Sequence, residues 1–224
     1  MSYASINDAP IVRGEWILPR VGLWHAHLEL DTDNAPRGEV TMHWGGEAWV
    51  GRVRRSSIDS GSCRVLIVGG VGDLGTETKA QGFRDAKVSA ILDHLLGAAN
   101  QARSKRVDKG LLEQKLPWFA VLKQSAGRAL VNLCQSLDLS WRLDSDGSLW
   151  VGSETWPEAE TNEDDLDLIA SHGASGTIHL RMLRPAIWPG TIWQGARVSR
   201  VEHHVAARDI SSRVYLEGAS EWTG

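Results

Sequence analysis

Three consecutive segments near the middle of the chain decide the fold: DAKVSAILDHLL (residues 85–96), SAGRALVNLCQSL (125–137) and LSWRLDSDGSLWVG (139–152). In the first two segments, apolar residues recur at intervals of three and four, which places them on one face of a helix. Asp85 and Ser125 are residue types that cap helix starts. These patterns predict two amphipathic helices.

The third segment changes from a helical period to a strand period. Leu139, Trp141 and Leu143 alternate with polar residues, and a Ser-Asp-Gly turn precedes a returning strand at residues 149–152. The middle of the chain is therefore predicted to be a helix, helix, hairpin unit.

Both flanks of this unit have β-type sequence. Residues 11–68 contain five short runs of alternating apolar and polar residues separated by Gly and Pro, with the spacing of hairpins. Strands are predicted again over residues 177–183, 191–205 and 213–217. This spacing favours an antiparallel barrel or small sandwich over alternating strands and helices.

A weak internal repeat relates the two flanks. The segment WVGRV (49–53) parallels WQGARV (193–198), and each precedes a polar stretch and a strand that ends in Gly. We therefore predict an α+β fold that is mainly β. Two small antiparallel β-barrel-like domains, at residues 1–75 and 158–224, flank an α/β insert at residues 76–157.

Composition excludes several function classes. The net charge of −4 and pI of about 6.1 provide no broad cationic field for nucleic acid phosphates or anionic membranes. No apolar window is long enough to span a bilayer, and the amino terminus lacks the pattern of a secretory signal. Cys63 and Cys134 lie in apolar settings that favour a role as small hydrophobic residues, although their pairing stays open. The acidic run in residues 158–167 is predicted to be a solvated linker or edge.

A glycine-rich motif follows the strand predicted at residues 64–68. Residues 70–75 read G-x-G-x-x-G, the spacing of dinucleotide-binding turns. Such a site also needs a helix directly after the motif, and residues 76–82 carry no apolar stripe. A glycine-rich loop at a barrel edge is the favoured interpretation.

Two groups of side chains resemble metal-ligand sets, but neither has the spacing of a known metal motif. Surface or interface histidines are the favoured interpretation. No nucleophile with its partners is recognisable, so we predict no catalytic residue, no cofactor and no enzymatic activity. The two groups are His25, His27 and Glu29, and Glu202, His203, His204 and Asp209.

The order of these elements resembles a known family. The apolar residues of the first helix are followed by Leu116-Pro-Trp118, the second helix and the Trp141 hairpin, and strands close the chain over residues 201–218. This order resembles the central part of baseplate hub proteins from contractile-tailed phages. Related domains are those of late-control D proteins and the amino-terminal part of VgrG spikes from type VI secretion.

The resemblance implies a structural role. Hubs of this kind are homotrimers in which two similar barrels per subunit form a pseudo-sixfold ring, which joins the sixfold tail tube to the threefold central spike. The implied partners are the tube or tube-initiator protein, the spike and other baseplate proteins. DNA would pass through the channel without specific binding, and no membrane anchor is implied. The implied location is the virion tail baseplate, assembled in the host bacterial cytoplasm.

Tryptophan is abundant, with 11 residues against two Tyr and two Phe. Within the hub interpretation, the tryptophans are core and interface anchors, and His25, His27 and Glu29 are candidates for a polar channel face. Two alternatives remain: a carbohydrate-binding module with tryptophans as sugar-stacking platforms, or a cell-wall hydrolase or metalloenzyme based on the histidine groups. The candidate interface residues are Trp44, Trp49, Trp188 and Trp193.

Overall fold

A computed structural model describes residues 4–59, 61–161, 166–172, 175–182, 186–206 and 209–217. The chain divides into two compact units. One unit combines Met1–Gly69 with Thr155–Gly224, and the other is Gly70–Glu154. The division predicted at residues 75 and 157 stays a prediction.

Fifteen strands and three helices occur in the described residues. In chain order they are β1 (Ala4–Ile6), β2 (Ala9–Pro19), β3 (His25–Leu30), β4 (Glu39–Trp44), β5 (Glu47–Asp59), β6 (Ser62–Gly69), β7 (Gln81–Lys87), α1 (Val88–Ala99), α2 (Lys109–Glu113), β8 (Lys115–Val121), α3 (Ala126–Ser136), β9 (Ser140–Leu143), β10 (Leu149–Gly152), β11 (Leu166–His172), β12 (Thr177–Met182), β13 (Ile192–Trp193), β14 (Ala196–Ala206) and β15 (Asp209–Glu217).

The first six strands close into an antiparallel barrel. Their order is β1-β4-β5-β6-β3-β2, and β2 pairs back to β1 at Pro10 and Ala9. Alternate residues of each strand fill the interior, which follows from the two-residue period of a strand. The prediction of an α+β, mainly β fold with a small antiparallel barrel is confirmed. Fully buried interior residues include Ile6, Leu30, Met42 and Ile67.

A second group of strands continues the same sheet. The second half of β2 pairs with β14, and the order then runs β14-β15-β12-β11, with β13 beside the start of β14. These strands bury their own apolar cluster. The amino- and carboxyl-terminal flanks therefore share one sheet within one compact unit. The cluster includes Ile178, Leu180, Ile187, Trp193, Val198, Val201 and Val214.

The internal repeat has a structural counterpart in the register predicted. Val53 pairs with Ile67 across β5 and β6, and Val198 pairs with Leu216 across β14 and β15. The turns that precede the two hairpins are also similar. Trp44 pairs with Glu47 across a Gly45-Gly46 turn, and Trp193 pairs with Ala196 across Gln194-Gly195. All four turn residues have positive φ, as two-residue hairpin turns of type I′ require. The two tryptophans of the predicted match differ in setting, because Trp49 lies inside β5 while Trp193 directly precedes a turn.

Each repeat also contains a bulge at a similar position. The register between β5 and β6 shifts directly after Val53, and the register between β14 and β15 shifts directly after Val198. A bulge increases the local twist of both strands. The two hairpins therefore bend in the same way.

The unit Gly70–Glu154 contains the three helices and two short sheets. Helices α1 and α3 bury their apolar faces, and β9 and β10 form the predicted hairpin. Ser125 caps α3 as predicted, because its Oγ accepts a hydrogen bond from the Arg128 amide at 3.3 Å. The predicted Asp85 cap is wrong: Asp85 lies in β7, and α1 begins after Lys87 because β7 stays paired with β8 up to that residue.

Both cysteines are buried free thiols. Burial raises the pKa of the Cys63 thiol and raises that of Cys134 to about 12. Each therefore acts as a small apolar side chain, in agreement with the sequence-based interpretation. Within the described residues, no helix combines the length and apolar character that crossing a lipid bilayer would require.

Candidate functional site: a polar face of the sheet

A cluster of tryptophans centred on Trp16 packs against one face of the sheet. Trp16 is fully buried, and its ring centroid lies 5.0 Å from that of Trp49, 5.3 Å from Trp44, 6.1 Å from Trp24 and 6.5 Å from Trp188. All four pairs meet edge to face or tilted, the arrangement that aromatic rings prefer. The cluster therefore forms much of the barrel interior.

The four candidate interface tryptophans divide into two pairs. Trp44 and Trp193 are 1% and 6% exposed, so they pack inside their own chain. Trp49 and Trp188 are half-buried and stack on each other with ring centroids 5.3 Å apart. A role in contacts between chains stays a prediction, and it rests on the exposed parts of Trp49 and Trp188.

The opposite face of the sheet is polar and crosses both strand groups. His27, Glu15, His204, Ser211 and Arg181 occupy successive paired positions on β3, β2, β14, β15 and β12. Directly paired residues of antiparallel strands point to the same side, so these side chains share one face. We call this surface the polar face.

Glu202 is the most buried charged group of the polar face, at 3% exposure. Its carboxylate accepts hydrogen bonds from the Tyr215 hydroxyl at 2.8 Å and the Arg213 guanidinium at 3.3 Å, and it also contacts Arg200. Two guanidinium groups thus compensate the desolvation of one carboxylate. Arg213 also donates to His179 Nε2 at 2.7 Å, so the network joins β14, β15 and β12.

His203 and His204 point to opposite sides of β14. His203 is fully buried against Trp16 and Trp44, with Nδ1 2.7 Å from Ser212 Oγ, and burial lowers its pKa to about 3. His204 lies on the polar face, with Nε2 3.8 Å from a Glu15 oxygen. The second predicted group is therefore split by the strand. The side chain of its fourth member, Asp209, lies outside the described residues.

The first predicted group stays together on the polar face. The rings of His25 and His27 are 5.8 Å apart, and the pKa of His25 is lowered by burial and by His27. Glu29 accepts two hydrogen bonds from Arg13, at 2.9 and 2.8 Å, and these bonds lower its pKa. The Glu29 carboxylate is thus engaged in an ion pair.

A different combination comes closest to the geometry of a metal site. One ligand atom from each of Glu15, Glu202 and His204 lies within 4.8 Å of the others. Glu202, however, is already bonded to Arg213 and in contact with Arg200, and both would repel a cation. The arrangement therefore supports an ion-pair network across the strands.

The glycine-rich loop packs against the carboxyl-terminal end of α1. The Gly72 amide donates to Gln101 Oε1 at 2.9 Å, and the Asp73 amide donates to the Ala99 carbonyl at 2.8 Å. A Cβ at Gly72 would lie 2.5 Å from the Ala99 oxygen. The glycines thus allow a close backbone approach, and the amides that a dinucleotide phosphate would need are already bonded.

Comparison with known proteins establishes the fold. No family model matches the chain, and no curated protein matches it. Among solved structures, the 43 kDa tail protein of prophage MuSo2 from Shewanella oneidensis matches with a TM-score of 0.67 at 10% identity, over 92% of this chain and 93% of that one. A tail protein from Neisseria meningitidis MC58 matches with a TM-score of 0.63 at 11% identity, over 96% of both chains.

A third structure comes from a secretion system. The c3393 protein of E. coli, a component of the type VI secretion system with structural similarity to the T4 tail proteins gp27 and gp5, matches with a TM-score of 0.60. The identity is 9%, and the match covers 96% of this chain and 77% of that one. The chain therefore has the fold of phage tail proteins and of a type VI secretion component.

Proposed function

We propose that this chain is a structural hub subunit of a contractile phage tail or a related injection machine. Three copies would form a pseudo-sixfold ring that joins a sixfold tail tube to a threefold central spike. The observation that carries this proposal is the barrel β1–β6 continued by a sheet with an equivalent hairpin and bulge, a fold shared with tail proteins. A duplicated element in a trimer supplies six similar contacts around one axis.

The polar face is our candidate for the surface that lines the channel. It carries guanidinium, imidazole and carboxylate groups side by side, many already joined in ion pairs. A face of mixed charge gives little net attraction for DNA phosphates, which suits passage of DNA without specific binding. In this proposal the protein acts without catalysis, in the tail baseplate of the virion, beside tube, spike and other baseplate proteins.

The molar mass of the protein in solution tests the proposed trimeric ring. Light scattering across a concentration series should give three times 24.6 kDa for the purified protein. Tube and spike proteins encoded beside it should then bind the trimer in a pull-down. A monomer at every concentration that binds neither protein would overturn the proposal.

A carbohydrate-binding module is the second candidate, because one tryptophan among the described residues is largely exposed. Trp118 on β8 is 65% exposed, and Leu122 nearby is 64% exposed. A flat exposed indole can stack on a sugar ring. Glycan-array binding that is lost in Trp118→Ala and kept in Arg84→Ala, at the paired position on β7, would favour this candidate over the hub.

A further inference from the structure

Within the part of the chain that the structure describes, the sheet of the β unit has two open strand edges. Among the described residues, β11 pairs only with β12 and is the last strand of the order. At the other end, the pairing of β4 with β5 stops at Arg52, whereas β5 continues beside β6 as far as Asp59. Open strand edges are templates for pairing with another chain.

One row of directly paired residues crosses the sheet from β5 to β11. Each member is the direct partner of the next, so all eight side chains lie on the polar face. The row begins with an exposed cation on β5 and ends with an exposed anion on β11. Its members, in order, are Arg55, Leu66, His27, Glu15, His204, Ser211, Arg181 and Asp167.

The two ends also differ in the charge around them. Beside Arg55, a hollow of about 340 Å³ is lined by Arg13 and Arg64, with Glu29 as its one acidic side chain. At the other edge, Asp167 is the one acidic residue of β11. The β5 edge is therefore mainly cationic, and β11 presents a carboxylate.

Apolar side chains accompany the charges at both ends. Ile58 on β5 is 52% exposed, and Leu168 and Ile169 on β11 are 59% and 50% exposed. A bulge between Leu168 and Ala170 interrupts the register beside Ile169. An open strand edge that also exposes apolar side chains is a site where a strand of another chain can add.

The strand directions allow the β11 edge of one copy to pair with the β5 edge of another copy. The path β5-β6-β3-β2-β14-β15-β12-β11 contains eight strands, and every neighbouring pair is antiparallel. The first and last strands of such a sheet run in opposite directions. The β11 edge of one copy can therefore add to the β5 edge of another copy as a further antiparallel strand.

We propose that β11 of one copy pairs with the outer half of β5 in the next copy, which brings the Asp167 carboxylate close to the Arg55 guanidinium. This inference rests on the proposed trimer and names the contact that builds it. The contact is head to tail, and a head-to-tail contact repeated around a rotation axis closes a ring.

A charge swap tests the contact. Arg55→Asp and Asp167→Arg each place like charges at the seam, so each variant should lose the trimer mass by light scattering at concentrations where the wild type is trimeric. The double variant R55D/D167R restores opposite charges and should regain the trimer. The matched controls are Arg84→Asp on β7 and Glu39→Arg on β4, which should keep the wild-type mass. Circular dichroism on every variant identifies any that fails to fold.

The results separate the inference from the proposed function. A trimeric wild type whose two single variants stay trimeric would overturn the β11–β5 contact and leave the hub proposal standing. Folded single variants that lose the trimer, with a double variant that does not regain it, would also overturn the contact. A wild type that is monomeric throughout the series would overturn the contact, and it would overturn the hub proposal as well if it also binds neither the tube nor the spike protein.

Discussion

Trp16 and His203 are direct partners across β2 and β14, with ring centroids 5.1 Å apart, at the seam where the barrel joins the second group of strands. Both side chains are fully buried. At the junction of β2 and β14, the His203 imidazole therefore packs in its neutral form against tryptophan rings. Protonation of His203 is linked to folding.

Stability should fall in acid because of His203. Its pKa is about 3 in the folded protein, against an ordinary value of 6.5, so below pH 6.5 the unfolded chain binds a proton that the folded chain does not. The contribution of neutral His203 to the free energy of unfolding is complete above pH 6.5. It is lost at about 1.4 kcal/mol per pH unit as the pH falls towards 3. Urea titrations at pH 7 and pH 5 should show a smaller difference for His203→Gln than for the wild type. Replacing the exposed His43 with Gln should leave that difference unchanged, and equal pH dependence in all three proteins would contradict the assignment.

Gly72→Ala should destabilise the unit Gly70–Glu154. The added methyl would lie 2.5 Å from the Ala99 carbonyl oxygen, so the loop or the end of α1 must shift. We expect a loss of more than about 2 kcal/mol in the free energy of unfolding. The matched control is Gly97→Ala in α1, where a Cβ meets no atom within 4 Å, and this change should stabilise the helix by about 0.5–1 kcal/mol. Thermal melts that rank the two variants in the opposite order would contradict this account.

Trp44→Ala and Trp118→Ala should differ sharply in stability. Trp44 is 1% exposed within the tryptophan cluster, and removing it should cost about 3–5 kcal/mol. Trp118 is 65% exposed, and its removal should change stability by no more than about 0.5 kcal/mol. Chemical denaturation of both variants measures the contrast, and similar losses would show that Trp118 is covered in solution.

Ser125→Ala should weaken the start of α3. The hydroxyl accepts a bond from the Arg128 amide, and the loss of such a cap costs about 1 kcal/mol. Ser125→Asp should retain most of the stability, because a carboxylate can accept the same bond. A melting temperature for Ser125→Ala equal to that of the wild type would argue that water replaces the cap.

Sequence patterns predicted the elements whose determinants are local. Helix α3, its Ser125 cap and the hairpin of β9 and β10 depend on residues a few positions apart. The start of α1 was mispredicted because β7 pairs with β8, whose sequence begins 28 residues after Lys87. No alternation of apolar residues marks β7, so that pairing had no local signal.

The candidate site was predicted only in part, because pairing between distant strands leaves no local signal in the sequence. His25, His27 and Glu29 were identified as one strand face, and the structure keeps them on one face. Their continuation onto β14 depends on the pairing of Glu15 with His204, which no local pattern reveals. Periodicity also assigns Trp44 to a strand face without indicating whether that face is the interior of the barrel.

The even number of strands between the two open ends constrains how such a sheet can change during evolution. With eight strands, the last runs opposite to the first, so the proposed contact between copies would keep the alternation of strand directions around the ring. Gain or loss of one strand would make the seam parallel, whereas gain or loss of a whole hairpin would preserve it. Sheets that form the proposed ring can therefore grow only in steps of two strands, for example by one hairpin.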